Sequence, residues 1–124
     1  MESFSGLVVH GKKLGRTIGF PTCNLQVDEA KSLQVGVYSV YVELEGKGFY
    51  GVMNIGMRPT INDGFAQSVE VHLLDFNEQI YGQQLVVKPL QFIRHEQKFD
   101  GLPALVAQLQ KDVAFARQSI QLAV

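Results

Sequence analysis

Two oxygen-bearing side chains, Thr22 and Asn24, stand two residues apart at the end of a glycine-studded stretch, Leu14-Gly15-Arg16-Thr17-Ile18-Gly19-Phe20-Pro21-Thr22-Cys23-Asn24. In an extended segment this spacing sends both side chains to one side. A hydroxyl and an amide oxygen are hard ligands of the kind Mg²⁺ accepts, and that ion usually takes one or two protein oxygens beside nucleotide phosphates. Pro-Thr-x-Asn also reads as a turn in which asparagine bonds its own backbone, and spacing alone leaves both readings open. Upstream, Gly11, Gly15 and Gly19 recur every fourth residue, with Lys12, Lys13 and Arg16 between them. Peptide N–H groups of such a loop can close on anionic oxygens because no Cβ blocks the approach. An ordinary solvated loop has the same composition. The segment is not a Walker A loop, since no Gly-Lys-Ser or Gly-Lys-Thr closes it.

A carboxylate offers the second piece of chemistry. Glu70 falls in the middle of Ser68-Val69-Glu70-Val71-His72-Leu73-Leu74-Asp75-Phe76, which alternates like a strand. A charged group there is costly to bury unless paired, so it faces solvent or has a task. Asp63 and Asp75 look like turn and strand-end residues. His10, His72 and His95 are scattered, and with the lone Cys23 they form no zinc spacing. His72 shares a strand face with Glu70. No nucleophile elbow supports a Ser/His/Asp triad, and the protein-kinase signatures are absent.

The elements that must hold these groups are mostly strands. Phe4 to His10 reads as a short strand, and residues 11 to 22 carry too many glycines and prolines for a regular element. Val35 to Leu44 is rich in β-branched and aromatic residues and forms a long strand, turning at Glu45-Gly46-Lys47-Gly48 into a second, Phe49 to Ile55. Met57 to Ala66 reads as a polar loop long enough for a flap. Val69 to Phe76 and Gln84 to Ile93 read as a further hairpin across Asn77 to Gly82. Then the period changes. Leu102, Leu105, Val106, Leu109, Val113, Ala116 and Ile120 step by three and four, the stripe of an amphipathic helix capped by Asp100 with Pro103 in its first turn. That stripe is expected to close the barrel and plug an open end. Closely spaced strands joined by turns suggest an antiparallel barrel or sandwich.

Size and charge narrow the function classes. A chain of 124 residues supports one domain, residues 1–124, with a single core. Its 46% hydrophobic and 19% charged residues are those of a folded globular protein. A net charge of −1 supplies no global field for nucleic acid or an anionic membrane. A single cysteine excludes an internal disulfide and fits a reducing cytosol. No apolar run reaches the ~20 residues of a membrane span, and the N-terminus has no signal-peptide pattern. A cytoplasmic domain is the expectation, with no nucleic-acid or membrane partner.

These motifs together resemble the riboflavin kinase (flavokinase) family, over about Phe4 to Ile120. Gly19-Phe20-Pro21-Thr22-Cys23-Asn24 is similar to its Gly-Phe-Pro-Thr-Ala-Asn loop, with Cys23 for alanine. Asn54-Ile55-Gly56-Met57-Arg58-Pro59-Thr60 matches Asn-Ile-Gly-x-Arg-Pro-Thr, and Glu70-Val71-His72-Leu73 matches its Glu-x-His-Leu strand. Arg94-His95-Glu96-Gln97-Lys98-Phe99 resembles Arg-x-Glu-x-x-Phe, with His95 where proline and Gln97 where lysine are usual.

The resemblance implies a mainly β fold, a six-stranded antiparallel Greek-key β-barrel with a C-terminal α-helix. It implies transfer of the ATP γ-phosphate to the ribityl 5′-hydroxyl of riboflavin, giving FMN and ADP. Glu70 would be the catalytic base, and Thr22 and Asn24 the Mg²⁺ ligands. Gly11, Lys12, Gly15, Arg16 and Gly19 would wrap the nucleotide phosphates, with adenine against Val87, Leu90 and Phe92. Arg94, Gln97, Phe99 and Leu102 would contact riboflavin or FMN. Residues 57 to 65 would be a flap hinged at Pro59 and Asp63-Gly64. In bacteria such a module is commonly the C-terminal half of a bifunctional FAD synthetase, so an N-terminal FMN adenylyltransferase domain is the implied partner. Two other classes compete: a non-catalytic flavin- or nucleotide-binding module of this fold, and an OB-like barrel for single-stranded nucleic acid. The second would want a basic groove with exposed stacking aromatics, which this slightly acidic chain does not offer.

Overall fold

The computed structural model describes residues 2–9, 19–27, 33–59, 61 and 64–123, with side chains left undescribed at 59, 65 and 120–123. The expectations for Gly11, Lys12, Lys13, Gly15, Arg16, Thr60, Asn62 and Asp63 fall outside the described residues, as does the side chain of Ile120. Six strands close into an antiparallel barrel: β1 (Phe4–Val9), β2 (Cys23–Val27), β3 (Gly36–Leu44), β4 (Lys47–Pro59), β5 (Phe65–Leu73) and β6 (Gln84–Arg94). Their order around the wall is β1-β2-β5-β4-β3-β6. The β3-β4-β5 meander followed by β6 returning beside β3 is a Greek key. One helix, α1 (Leu102–Ala123), follows.

Alternation builds the core. Tyr38, Val40, Val42 and Leu44 of β3 point inward with Met53 and Ile55 of β4, Val69, Val71 and Leu73 of β5, and Leu85 and Val87 of β6. Intervening residues face out, because side chains reverse at each step along a strand. A two-residue turn, Glu45-Gly46, joins β3 to β4, both residues having positive φ. The backbone twist of such a turn matches that of the strands it connects. Lys47 and Gly48 are already in β4.

Four expectations are corrected. β4 runs on to Pro59 and β5 begins at Phe65, paired directly with it, so the connection is far shorter than a Met57–Ala66 flap and Pro59 is strand rather than hinge. β5 and β6 are not a hairpin. β5 pairs with β2 and β4, and β6 with β1 and β3. The segment between them crosses the barrel mouth, held by Leu74 N–H on the Tyr50 carbonyl, Gly82 N–H on the Val8 carbonyl and Val8 N–H on the Gln83 carbonyl. Helix α1 does not plug an end. Val113 and Ala116 pack with Val37, Val52 and Ile93 in a second cluster on the outside of the wall. Its first backbone bond runs from Leu105 N–H to the Gly101 carbonyl, so Gly101 rather than Asp100 holds the cap position. Among the described residues no helix is long and apolar enough to cross a membrane.

Candidate active site

One row of paired residues crosses the outer wall. Asn24 of β2 pairs with Glu70 of β5, Glu70 with Asn54 of β4, Asn54 with Val37 of β3, and Val37 with Arg94 of β6. Their chain neighbours Leu25, Val69, Val71, Met53, Ile55 and Tyr38 belong to the inner core, so the row faces outward. Cα atoms of paired residues on adjacent strands lie ~4.5–5.5 Å apart, which puts Asn24 and Glu70 within reach of one small ligand group. Thr22 precedes β2 by one residue and is exposed beside them.

The approach to Thr22 is fastened by β5. His72, outward like Glu70, has Nδ1 2.8 Å from the Pro21 carbonyl oxygen. A carbonyl accepts, so Nδ1 carries the proton and donates. The Phe20 ring meets the His72 ring edge-on at 5.6 Å. Gly19, just upstream, has φ +86°, a conformation that side chains resist. The Phe-Pro-Thr string is thus tied to the strand that carries Glu70.

Beside Thr22 opens a cavity of ≈ 290 Å³, lined by Val8, Cys23 and Leu73 and by Phe76, Ile80 and Tyr81 of the crossing segment. It combines apolar walls with a polar rim of Thr22, Asn77 and Gln79, and is large enough for a flat heterocycle. Burial pushes the Cys23 thiol above its ordinary range. Of the residues expected against adenine, Val87 is fully enclosed inside the barrel. Leu90 is exposed on β6, and Phe92 packs edge-on against Tyr38 and His95 at 5.4 and 5.0 Å.

At the far end of the row, Arg94 is engaged by the helix. Its Nε and Nη2 donate to the two oxygens of Asp112 at 2.9 and 2.8 Å, and Nη1 donates to the His95 carbonyl. Gln108 adds a third bond to Asp112, whose side chain is 1% exposed. A bidentate guanidinium–carboxylate fork fixes both groups in a plane. The Phe99 ring lies 5.9 Å from the Arg94 Cζ. Phe99 is half-buried, whereas Gln97 and Leu102 are exposed beside it. Glu96 reaches back to β4. A Cβ on Gly56 would fall 2.5 Å from its Oε1 and 3.1 Å from Ser68 Oγ, so a side chain there would displace that carboxylate.

The structure thus brings Thr22, Asn24 and Glu70 together and puts Arg94 on the same row, while Val87 lies apart. Sequence reasoning missed Asp112, Asn54 and the Phe76–Tyr81 wall. Asp112 had a visible signal, a carboxylate interrupting the apolar stripe between Leu109 and Val113. Asn54 likewise breaks the apolar run Val52-Met53-Asn54-Ile55.

Could this site hold Mg²⁺? Among the described residues no cluster of His, Cys, Asp and Glu forms a metal cage. The neutral oxygens of Thr22 and Asn24 suit an ion whose charge is balanced by phosphates. The place of Asn24 in register with Glu70, with Thr22 just before the strand, fits that role.

Comparison with known proteins supplies a family. A family model described as "Flavokinase: Riboflavin kinase" matches residues 2–120. A bifunctional riboflavin kinase/FMN adenylyltransferase of Haemophilus influenzae is 50% identical over 113 residues, covering 90% of this chain and 36% of its own length. The chain spans about a third of the length of such relatives. Among solved structures, riboflavin kinase from Trypanosoma brucei superposes with TM-score 0.65 at 28% identity, over 96% of this chain and 79% of that one. A Streptococcus pneumoniae structure described as a macrolide-efflux protein superposes with TM-score 0.87 at 38% identity, over 93% and 38%.

Proposed function

This chain belongs to the riboflavin kinase family, and from that premise we propose that residues 1–124 form one catalytic domain moving the γ-phosphate of ATP to the 5′-hydroxyl of riboflavin. The observation that supports this most is the register pairing of Asn24 with Glu70, two residues on from exposed Thr22. A phosphate-side ligand and an acidic group are then adjacent, as transfer to an alcohol requires.

The adenine enters the cavity of Phe76, Ile80 and Tyr81, and its triphosphate passes Thr22. Thr22 and Asn24 would hold Mg²⁺, which would supply positive charge against the phosphates. Glu70 orients the ribityl 5′-hydroxyl and accepts its proton as the oxygen bonds to the γ-phosphorus; the bond to ADP breaks. Gly11, Lys12, Gly15, Arg16 and Gly19 close on the phosphates. Arg94, set by Asp112, holds the segment through Phe99, so that Gln97, Phe99 and Leu102 border the flavin ring. An N-terminal FMN adenylyltransferase domain completes the parent protein, whose work belongs in the cytoplasm where ATP and riboflavin meet.

The test pairs turnover with binding. The chain should form FMN from riboflavin, ATP and Mg²⁺. Glu70→Gln should still quench flavin fluorescence while turnover falls by roughly 10²–10⁴-fold. Flavin binding without FMN in the unaltered chain would instead mark a non-catalytic binding module.

A further inference from the structure

We infer that Asn54 contacts the substrate, its side-chain carboxamide accepting a hydrogen bond from a ribityl hydroxyl of riboflavin; the inference rests on the riboflavin kinase reading above. Asn54 lies midway along the outward row, next to Glu70 on one side and separated from Arg94 by Val37 of β3 on the other. A substrate whose 5′-hydroxyl meets Glu70 and whose ring meets the Arg94–Phe99 segment must lay its linking chain across β4. Asn54 is the residue under that path.

Its side chain carries the second observation. Asn54 Oδ1 is closed off from solvent with no hydrogen-bond partner among the described residues. An unmet buried acceptor burdens the fold, and buried polar atoms are nearly always paired. Ser39 Oγ shares this condition but belongs to a fully buried residue of β3, paired with Val52 in the wall that α1 covers. Asn54 as a whole is partly exposed, and the terminal torsion of an amide is broad, so rotation brings its oxygen to the open side.

Charge and donor type select the ligand. An amide oxygen needs a donor; phosphate oxygens offer none, whereas each ribityl hydroxyl does. One outward position along β4, the Glu96 carboxylate sits on Gly56. That acidic neighbour disfavours a triphosphate and admits an uncharged polyol.

Asn54→Val removes the carboxamide and suits a strand. Flavin fluorescence quenching would compare riboflavin with lumiflavin, which has the ring but no ribityl chain. The expected result is a riboflavin Kd raised about three- to tenfold, the worth of one hydrogen bond. The lumiflavin Kd, the KM for Mg²⁺-ATP and the Tm should hold, or the Tm rise. Unchanged riboflavin binding in the folded variant, or equal weakening of both flavins, overturns the inference. Asn54→Ala gives the same readout should valine not fold. If the unaltered chain makes FMN and the variant matches it, this inference alone fails; if the unaltered chain binds neither flavin, the kinase reading fails with it.

Discussion

Asn24 sits opposite Glu70 because β2 pairs with β5, and Thr22 reaches the same place because His72 holds the Pro21 carbonyl. Thr22→Ala or Asn24→Ala should therefore raise the KM for Mg²⁺-ATP by about tenfold or more while riboflavin affinity holds. Steady-state kinetics across a Mg²⁺ titration checks this, and extra Mg²⁺ should recover part of the loss. Cys23 offers a separate probe of the cavity proposed for adenine. Burial raises its thiol pKa, so the reactive thiolate is scarce at neutral pH. Alkylation by iodoacetamide should be slow there, speed up in alkaline solution, and slow again when ATP fills the cavity.

At the scale of elements, helix α1 is bolted to the wall by two Arg–Asp forks of different kinds. Arg94–Asp112 is nearly closed off from water, and Asp112→Ala would strand the guanidinium. That change should cost about 3–5 kcal/mol, read as a lower urea midpoint. Arg117–Asp75 joins the helix to the turn after β5 but is exposed. The hydrogen bond from Arg117, and its charge, hold the Asp75 carboxyl below its usual range. A lowered carboxyl pKa stabilises the fold above the unfolded value of ~3.9 and is lost as pH falls through the folded one. Arg117→Gln should thus lower Tm slightly at neutral pH, with the gap closing in acid and in high salt. Strands β1, β3 and β6 and the helix were legible because period two and period 3.6 are local patterns. β2 was not: five residues with Asn24 and Gln26 facing out, behind a run of glycines, carry little apolar signal. The β5–β6 hairpin failed because adjacency in sequence says nothing about a chain that crosses a barrel mouth. Glu70, Thr22 and Asn24 could be named from their motifs, but their common row depends on register between strands distant in sequence. The enclosure of Val87 was hidden for the same reason, since alternation marks a face and closure of the barrel decides which face is sealed.

The whole molecule is a closed barrel whose inside is filled by side chains, so the candidate site lies on the outer wall and at the mouth. Closure leaves no sheet edge exposed and makes that wall a stiff support. The longer relatives carry an FMN adenylyltransferase name beside the kinase one, and this chain covers about a third of their length. A cavity of ≈ 290 Å³ opens at the barrel mouth next to Thr22. The chain by itself is therefore expected to phosphorylate riboflavin without adenylating the product. Product stoichiometry tests this most directly: riboflavin, ATP and Mg²⁺ are incubated with the chain and the mixture is resolved by chromatography. One FMN for each ADP, with neither FAD nor pyrophosphate, is the outcome the account predicts. Riboflavin returned unchanged, or ADP accumulating without FMN, would contradict it.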